Sequence, residues 1–390
     1  MLSKGIVRFN SPYITGKEID NLKDLIKSKK ISGNGIYTKK CSSILENYLD
    51  GSKKVLITHS CTAALEMAAI LLNIKKGDEV IMPSYTFVST ANAFVLRGGI
   101  PVFIDIKNDD LNLNEELIRK AITKKTKAII VVHYGGLSCD MSKIIKIAKE
   151  KKIALIEDAA QALGSEYKGK KLGTLGDLAS ISFHETKNII GGEGGALIVN
   201  NSKYLKRSEI VWEKGTNRNS FFNGATKKYT WLDIGSSYLP SELVSAFLLD
   251  QLKKIDYINS LRMEKWKVYR KLFDKLFIEG LIKIQKTDSE SKYNAHIFYI
   301  LVKNQKLRDL IIKKLNNKQI SAVFHYIPLH SSPAGKKYGK SGSSMRVTNK
   351  IYKQIIRLPL YPNISEKTIY NIFSIINKII RSQSDDKKYK

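Results

Sequence analysis

A lysine and an aspartate, each closing a strand-like run, are the residues whose types and spacing point most directly to chemistry. Lys187 ends the stretch Ser182-Phe183-His184-Glu185-Thr186-Lys187 and is followed by the glycine cluster Gly191-Gly192-Glu193-Gly194-Gly195. Asp158 lies in the earlier run Glu157-Asp158-Ala159-Ala160-Gln161. Such a pair suits pyridoxal 5'-phosphate (PLP). The lysine condenses with the cofactor aldehyde, and the aspartate keeps the pyridine nitrogen protonated so that the ring withdraws electrons. A crowded, partly desolvated setting lets the lysine lose its proton. The glycine cluster is neither a P-loop, since no Lys-Ser/Thr follows it, nor a dinucleotide fingerprint. It reads as a tight turn that lets backbone pass close to the cofactor.

Further candidates follow other strand-like runs. Ser60-Cys61-Thr62 opens a helix, where free N–H groups suit a phosphate, although Ser60 is equally a plain N-cap. Cys61 reads as a small packed residue rather than a nucleophile. Phe87 would stack on the pyridine; core packing is the competing reading. Asp158 could be a helix cap, but Gln161, three residues on, would then reach the ring hydroxyl, and the combination favours a site. Ser84, His133 and Ser182 also follow strands, and ligands of open α/β sheets bind beyond the carboxyl ends of strands. His133 and His184 read as hydrogen-bonded neighbours, not metal ligands; no metal is expected.

The elements that must position these residues alternate. Strands are expected at 55–58, 79–82, 102–106, 128–133 and 153–157, with helices at 61–72, 87–96, 115–122 and 141–150 between them. This predicts a largely parallel sheet covered by helices. Residues 178–183 and 196–200 form a tighter strand-turn-strand. One long helix is expected over 241–276, then strands at 295–302 and 321–326, with helices at 307–315 and 364–380. The tail from Ser382 to Lys390 is polar and expected to fray.

At 390 residues the chain suits a large domain plus a smaller one, expected over 1–248 and 249–390. The formal charge of +30 is spread along the chain without interleaved aromatics. It reads as a solvated surface, not a nucleic-acid site, and one that would draw in an anionic substrate. No run approaches the roughly twenty apolar residues of a membrane span. Met1–Arg8 lacks a signal-peptide pattern, and Cys41, Cys61 and Cys139 form no metal or paired spacing. A cytoplasmic protein is expected.

The series Ser60–Leu65, Pro83–Phe87, Glu157–Gln161 and Ser182–Lys187 resembles the DegT/DnrJ/EryC1/StrS family of PLP-dependent sugar aminotransferases. Ile31–Gly35 and His325–His330 extend the match over nearly the whole chain. The resemblance implies a type I aminotransferase fold, α/β with a large mostly parallel sheet domain and a smaller C-terminal α+β domain. It also implies a homodimer with active sites at the subunit interface. Lys187 would bond to the cofactor and move protons, Asp158 would meet the pyridine nitrogen, and Gln161 would lie near the ring hydroxyl. Ser182 and the Ser60, Cys61 and Thr62 turn would hold the phosphate, and Phe87 would stack on the ring.

The family's Gly-x-Asn-Tyr-Arg-Met run stands here as Gly235-Ser236-Ser237-Tyr238-Leu239-Pro240. Ser237 thus replaces the asparagine that reaches the neighbouring subunit's cofactor. That departure, with Lys214–Arg218 and Lys228–Trp231, resembles the subgroup forming dTDP-4-amino-4,6-dideoxygalactose for surface glycans such as enterobacterial common antigen. It implies L-glutamate as donor, a dTDP-4-keto-6-deoxy sugar as acceptor, and pyridoxamine phosphate between the half-reactions. Lys214, Arg218 and Tyr229 are candidates for the nucleotide's pyrophosphate, against a solvated loop, and His330 is a fourth substrate contact. A sugar dehydratase, in which histidine replaces the lysine, is disfavoured by Lys187; a non-catalytic regulator is disfavoured by the intact Lys187, Asp158 and Gln161. An aminotransferase for another keto-sugar is the remaining alternative.

Overall fold

Apolar runs of about five residues build the centre of the molecule. The computed structural model describes residues 5–286 and 290–385. Its large sheet is formed by β1 (Lys54–Thr58), β2 (Glu79–Pro83), β3 (Ile100–Ile104), β4 (Thr126–Val132) and β5 (Ala154–Asp158). Two two-residue strands, β6 (Glu166–Tyr167) and β7 (Lys170–Lys171), follow, and then β8 (Leu178–Ser182) and β9 (Gly195–Val199). Beyond these come β10 (Lys283–Ile284), β11 (Ser291–Lys292), β12 (Phe298–Leu301), β13 (Lys340–Ser341) and β14 (Ile355–Leu358).

The sheet order is β1-β9-β8-β5-β4-β2-β3-β13, parallel from β8 through β13, with β9 antiparallel to both β1 and β8. β1 therefore shares the direction of β8, and the carboxyl ends of β1, β2, β4, β5 and β8 open on one edge. Apolar side chains bury on both faces of the sheet, giving one core that includes Ile57, Ile129 and Ile181 and another that includes Leu56, Ile130 and Leu197. Double-sided burial is what parallel sheets require. The expected strand-turn-strand is the β8–β9 hairpin, registered Ser182 against Gly195.

A second sheet, β10-β12-β14, packs with the helices Ile255–Ile278, Gln305–Asn316 and Glu366–Asp385 around a separate core of Tyr269, Phe273, Phe298 and Ile372. A fourth apolar cluster joins Tyr85 and Tyr134 of the first layer system to Tyr299 and Ile355 of the second.

Two expectations are corrected. The helix expected over 241–276 is two, Glu242–Leu252 and Ile255–Ile278, because the backbone leaves helical geometry at Lys254 (φ −120°, ψ 22°). The break lets the two helices serve different cores: Leu248 and Leu252 pack on the large sheet, Trp266 and Phe273 in the C-terminal cluster. The expected strand 321–326 is reduced to a single bridge, Val323 to Arg357. Beyond it the chain leaves the sheet and crosses to the large one, where Tyr134 donates a hydrogen bond to the His325 carbonyl at 3.2 Å. The edge strand β13 had no counterpart among the expected strands. The polar tail expected to fray falls partly outside the described residues; through Asp385 it continues the last helix. Among the described residues no helix is long and apolar enough to cross a membrane.

Candidate active site

The carboxyl edge of the large sheet gathers most of the expected residues. Asp158 closes β5 and is 5% exposed. Its Oδ2 accepts from Thr90 Oγ1 at 2.7 Å and its Oδ1 from the Ala160 N–H at 3.2 Å. Burial raises the Asp158 pKa above its ordinary value, a rise that these two bonds and the nearby Lys187 and His133 only partly offset. A carboxylate in that position gains from a cationic partner, and a protonated pyridine nitrogen is one.

Lys187 is pinned in the loop after β8, its N–H bonded to the His184 carbonyl at 2.9 Å. Burial of its ammonium lowers the Lys187 pKa; Cys61 and Asp158 oppose the shift and Arg357 adds to it. A lysine so placed has a larger neutral fraction near neutral pH than a solvated one, as proton transfer needs. The two groups that the sequence singled out therefore lie within electrostatic reach of one another.

Beneath Asp158 is a fully buried pair. His133 Nε2 and Glu157 Oε2 are 2.9 Å apart, and His133 Nδ1 accepts from the Cys139 N–H at 3.3 Å. That acceptance places the ring proton on Nε2, directed at Glu157. Burial pushes the Glu157 pKa up, but the His133 contact and N–H bonds from Gly173 and Gly176 outweigh it, and the net shift is downward. His133 also donates its backbone N–H to the Asp158 carbonyl at 3.2 Å, so the pair fixes the end of β5.

Gln161 is bonded at both ends of its amide: Oε1 accepts from the Gly135 N–H at 2.6 Å, and Nε2 donates to the Tyr326 hydroxyl at 2.9 Å. Phe87 is 57% exposed, with its ring 6.2 Å from Tyr326; core packing is therefore not its role. Ser60 caps the helix Cys61–Leu71, its Oγ accepting from the Ala63 N–H at 3.1 Å. The first N–H groups of that helix, from Cys61 and Thr62, have no intrahelical partner and suit an anion. Thr62 Oγ1 shares a 2.7 Å hydrogen bond with Ser89. Burial lifts the Cys61 thiol to about 12, so it is no thiolate. Ser182 is buried at the end of β8. A Cβ on Gly195 would fall on the backbone of Ser60 and Cys61, so this glycine is what lets the hairpin close against the anion-binding turn.

The remaining candidates stand apart. Lys214, Arg218, Tyr229 and Ser237 belong to an excursion from 213 to 237 whose hydrogen bonds, among the described residues, do not reach Lys187 or Asp158. Arg218 is engaged with the buried Glu213 carboxylate at 3.2 Å, which also accepts from Asn34 at 2.9 Å. Lys214 and Ser237 are exposed, and Tyr229 is 53% exposed. His330 sits where the C-terminal part meets the sheet, Nδ1 2.6 Å from Ser84 Oγ, and burial lowers its pKa.

Sequence reasoning passed over Thr90, Tyr326 and Arg357. Thr90 reads as an ordinary helical residue, and nothing local marks it. Arg357 did carry a signal, a lone charge inside the apolar run Ile355-Ile356-Arg357-Leu358.

Comparison with known proteins identifies the family. Residues 12–377 match the DegT/DnrJ/EryC1/StrS aminotransferase family. Protein MJ1066 of Methanocaldococcus jannaschii is 36% identical over 376 residues, 95% of this chain and 96% of that protein. GDP-perosamine synthase of Escherichia coli O157:H7 is 30% identical over 370 residues, 94% of this chain and 96% of the relative. Among solved structures, the putative sugar aminotransferase Spr1654 of Streptococcus pneumoniae in its PLP form superposes with a TM-score of 0.88 at 25% identity, covering 97% of this chain and 99% of that one.

Proposed function

The chain belongs to the DegT/DnrJ/EryC1/StrS aminotransferase family, and on that footing we propose that it is a PLP-dependent sugar aminotransferase with Lys187 as its catalytic residue. The observation that carries the reading is that the buried Asp158, closing β5, and Lys187, in the loop that follows the neighbouring parallel strand β8, stand at the same edge of the sheet. Bound PLP supplies an electron sink for the carbon that loses its proton. Lys187 Nζ would take the α-proton of the amino donor and pass it to the cofactor in the first half-reaction, and in the second would take a proton back from the cofactor and deliver it to the acceptor carbon that receives the amine. Asp158, held by Thr90 and Ala160, keeps a proton on the pyridine nitrogen. Phe87 offers an open aromatic face, Gln161 and Tyr326 a hydrogen-bonding edge, and Ser60, Cys61, Thr62 and Ser182 the anion-binding side.

The finer reading is transfer of the amino group from L-glutamate to C4 of dTDP-4-dehydro-6-deoxy-D-glucose, giving dTDP-4-amino-4,6-dideoxy-D-galactose and 2-oxoglutarate. The subgroup-like runs at 214–218, 228–231 and 233–239 support it. The exposed Ser237 and the exposed aromatics Phe222, Tyr229 and Trp231 are compatible with a homodimer in which that excursion meets a second copy. The division into bodies over 1–248 and 249–390 belongs to the same proposal, supported by the separate C-terminal core. A second reading, the same reaction on a GDP-linked keto-sugar, is favoured by the relative named GDP-perosamine synthase. A panel of dTDP-, UDP- and GDP-linked keto-sugars with product NMR tests both. A new C4 amine on the dTDP sugar upholds the first, one on the GDP sugar the second, and no amine on any sugar contradicts sugar amination.

A further inference from the structure

Asn188 directly follows Lys187, yet its side chain is buried and committed to the C-terminal part. Its Nδ2 donates to Asn259 Oδ1 and to the Asn294 carbonyl, both at 2.8 Å. A carbonyl only accepts, so that contact fixes the amide's orientation and leaves Oδ1 as the acceptor. His296 Nδ1 lies 2.9 Å from this Oδ1 and therefore carries the ring proton. Burial, and then the charges of Lys187, Arg262 and Arg357, hold the His296 pKa well below its ordinary value. The ring is thus neutral, in one tautomer, and it donates to the residue beside the lysine.

The partners of Asn188 are themselves held. Ala295 has a left-handed backbone (φ 51°), which a residue with a Cβ keeps only under constraint. Arg262 supplies that constraint: Nε donates to the Ala295 carbonyl at 3.1 Å and Nη2 to the His296 carbonyl at 2.7 Å. Asn294 Oδ1 accepts from the His296 N–H at 3.1 Å, and Asn294 Nδ2 donates to the Gln161 carbonyl at 2.9 Å. Arg262 Nη1 also donates to Asn10 Oδ1 at 3.3 Å, and Asn10 Nδ2 to the Glu185 carbonyl at 3.1 Å. The loop is thereby gripped two residues before Lys187 and one residue after it. Arg262 and Asn259 lie three residues apart in the helix Ile255–Ile278, on one face. A buried guanidinium that meets only neutral oxygens is costly, and burial lowers the Arg262 pKa to about 10. What it secures is the placing of the lysine loop. Chemistry at an amine needs that placing held to within about 0.5 Å.

We propose that Asn188, gripped by His296 and Asn259, is a positioning residue that holds Lys187 in its working orientation; this rests on the aminotransferase reading above. His296→Phe keeps a ring and removes the donor, whereas His296→Asn keeps an N–H near the place of Nδ1. In the holoenzyme, His296→Phe should lower kcat by about 10- to 100-fold and change KM for either substrate less than about threefold. His296→Asn should stay within about fivefold of the wild-type kcat. A second readout needs no cofactor: competitive acetylation of the full chain across pH, read by mass spectrometry on the Lys187 peptide. Burial keeps the pKa of this amine low, and Cys61, Asp158 and Arg357 face it in wild type and variants alike. A loosened loop lets water back to the amine, so the labelling midpoint should rise by at least about half a pH unit in His296→Phe and Asn188→Ala. In His296→Asn it should stay within about 0.2 of the wild type. Should His296→Phe not fold, Asn188→Ala and His296→Asn still decide. A midpoint unshifted in Asn188→Ala, a raised KM with kcat unchanged, or a His296→Asn kcat that falls a hundredfold would overturn the proposal. The shifted midpoint, in a protein whose wild type takes up no PLP on Lys187, would sink the aminotransferase reading and leave the positioning of that amine standing.

Discussion

Replacing Thr90 with valine removes one hydroxyl while nearly preserving side-chain volume. Thr90 is fully buried, and its Oγ1 donates to Asp158 Oδ2 at 2.7 Å. A hydrogen bond to a charged group contributes about 1.5–3 kcal/mol. At about 1.4 kcal/mol per tenfold, Thr90→Val should weaken PLP by roughly 10- to 150-fold, provided Asp158 meets the ring nitrogen. The Asp158 pKa is already raised, chiefly by burial, and Thr90 is the first of the interactions that pull it back. Without that bond the pKa rises further and the carboxylate is lost at a higher pH. The affinity defect should therefore be largest on the acid side and shrink as pH increases. Titration of the cofactor-free protein with PLP, followed by visible absorbance across pH, reads both effects. Thr86→Val is the control: Thr86 bonds Thr90 at 2.9 Å and has no bond to Asp158, so affinity should shift less than about threefold. Affinity for PLP that is unchanged in Thr90→Val, or reduced equally at every pH, would refute the role given to Asp158.

Lys187→Ala should lower transamination by more than about a thousandfold with circular dichroism unchanged; normal turnover in this variant would remove Lys187 from the chemistry. Gly195→Ala forces a Cβ onto the Ser60–Cys61 backbone, so it should destabilise by about 1–3 kcal/mol and weaken PLP as well. Thermal melts with and without cofactor check it, and an unaffected anion-binding turn would show as equal shifts in both. Glu157 has a pKa below its ordinary 4.5, so the stability that it contributes is complete above pH 4.5 and drains away as pH falls through the folded-state value. Glu157→Gln should melt lower at neutral pH and lose less on acidification than the wild type; identical pH slopes would contradict this.

The sheet and its site edge were legible because their signals are local. Asp158, His133 and Ser182 each close or directly follow an apolar run, Lys187 stands in the short loop beyond one, and strand polarity then brings them to one edge. Thr90 was illegible: its bond to Asp158 spans 68 positions, and a threonine inside a helix advertises nothing. Tyr326 was hidden for a related reason. Its segment reads as an ordinary strand, and only the hydrogen bonds from Tyr85 and Tyr134 to the neighbouring His325 carbonyl reveal that it lines the site. The split of 241–276 was missed because both helices keep apolar periodicity, and the change of partner core occurs between them. Arg218 reads as free in the sequence and is held by Glu213 in the fold.

Reduction of the PLP-loaded protein with borohydride, followed by peptide mapping, tests the central claim most directly, because it fixes the cofactor to whichever lysine holds it. The account predicts a pyridoxyl mass on the peptide containing Lys187, absent when L-glutamate is added before reduction. A label on any other lysine, or none in a protein that is yellow before treatment, would contradict it.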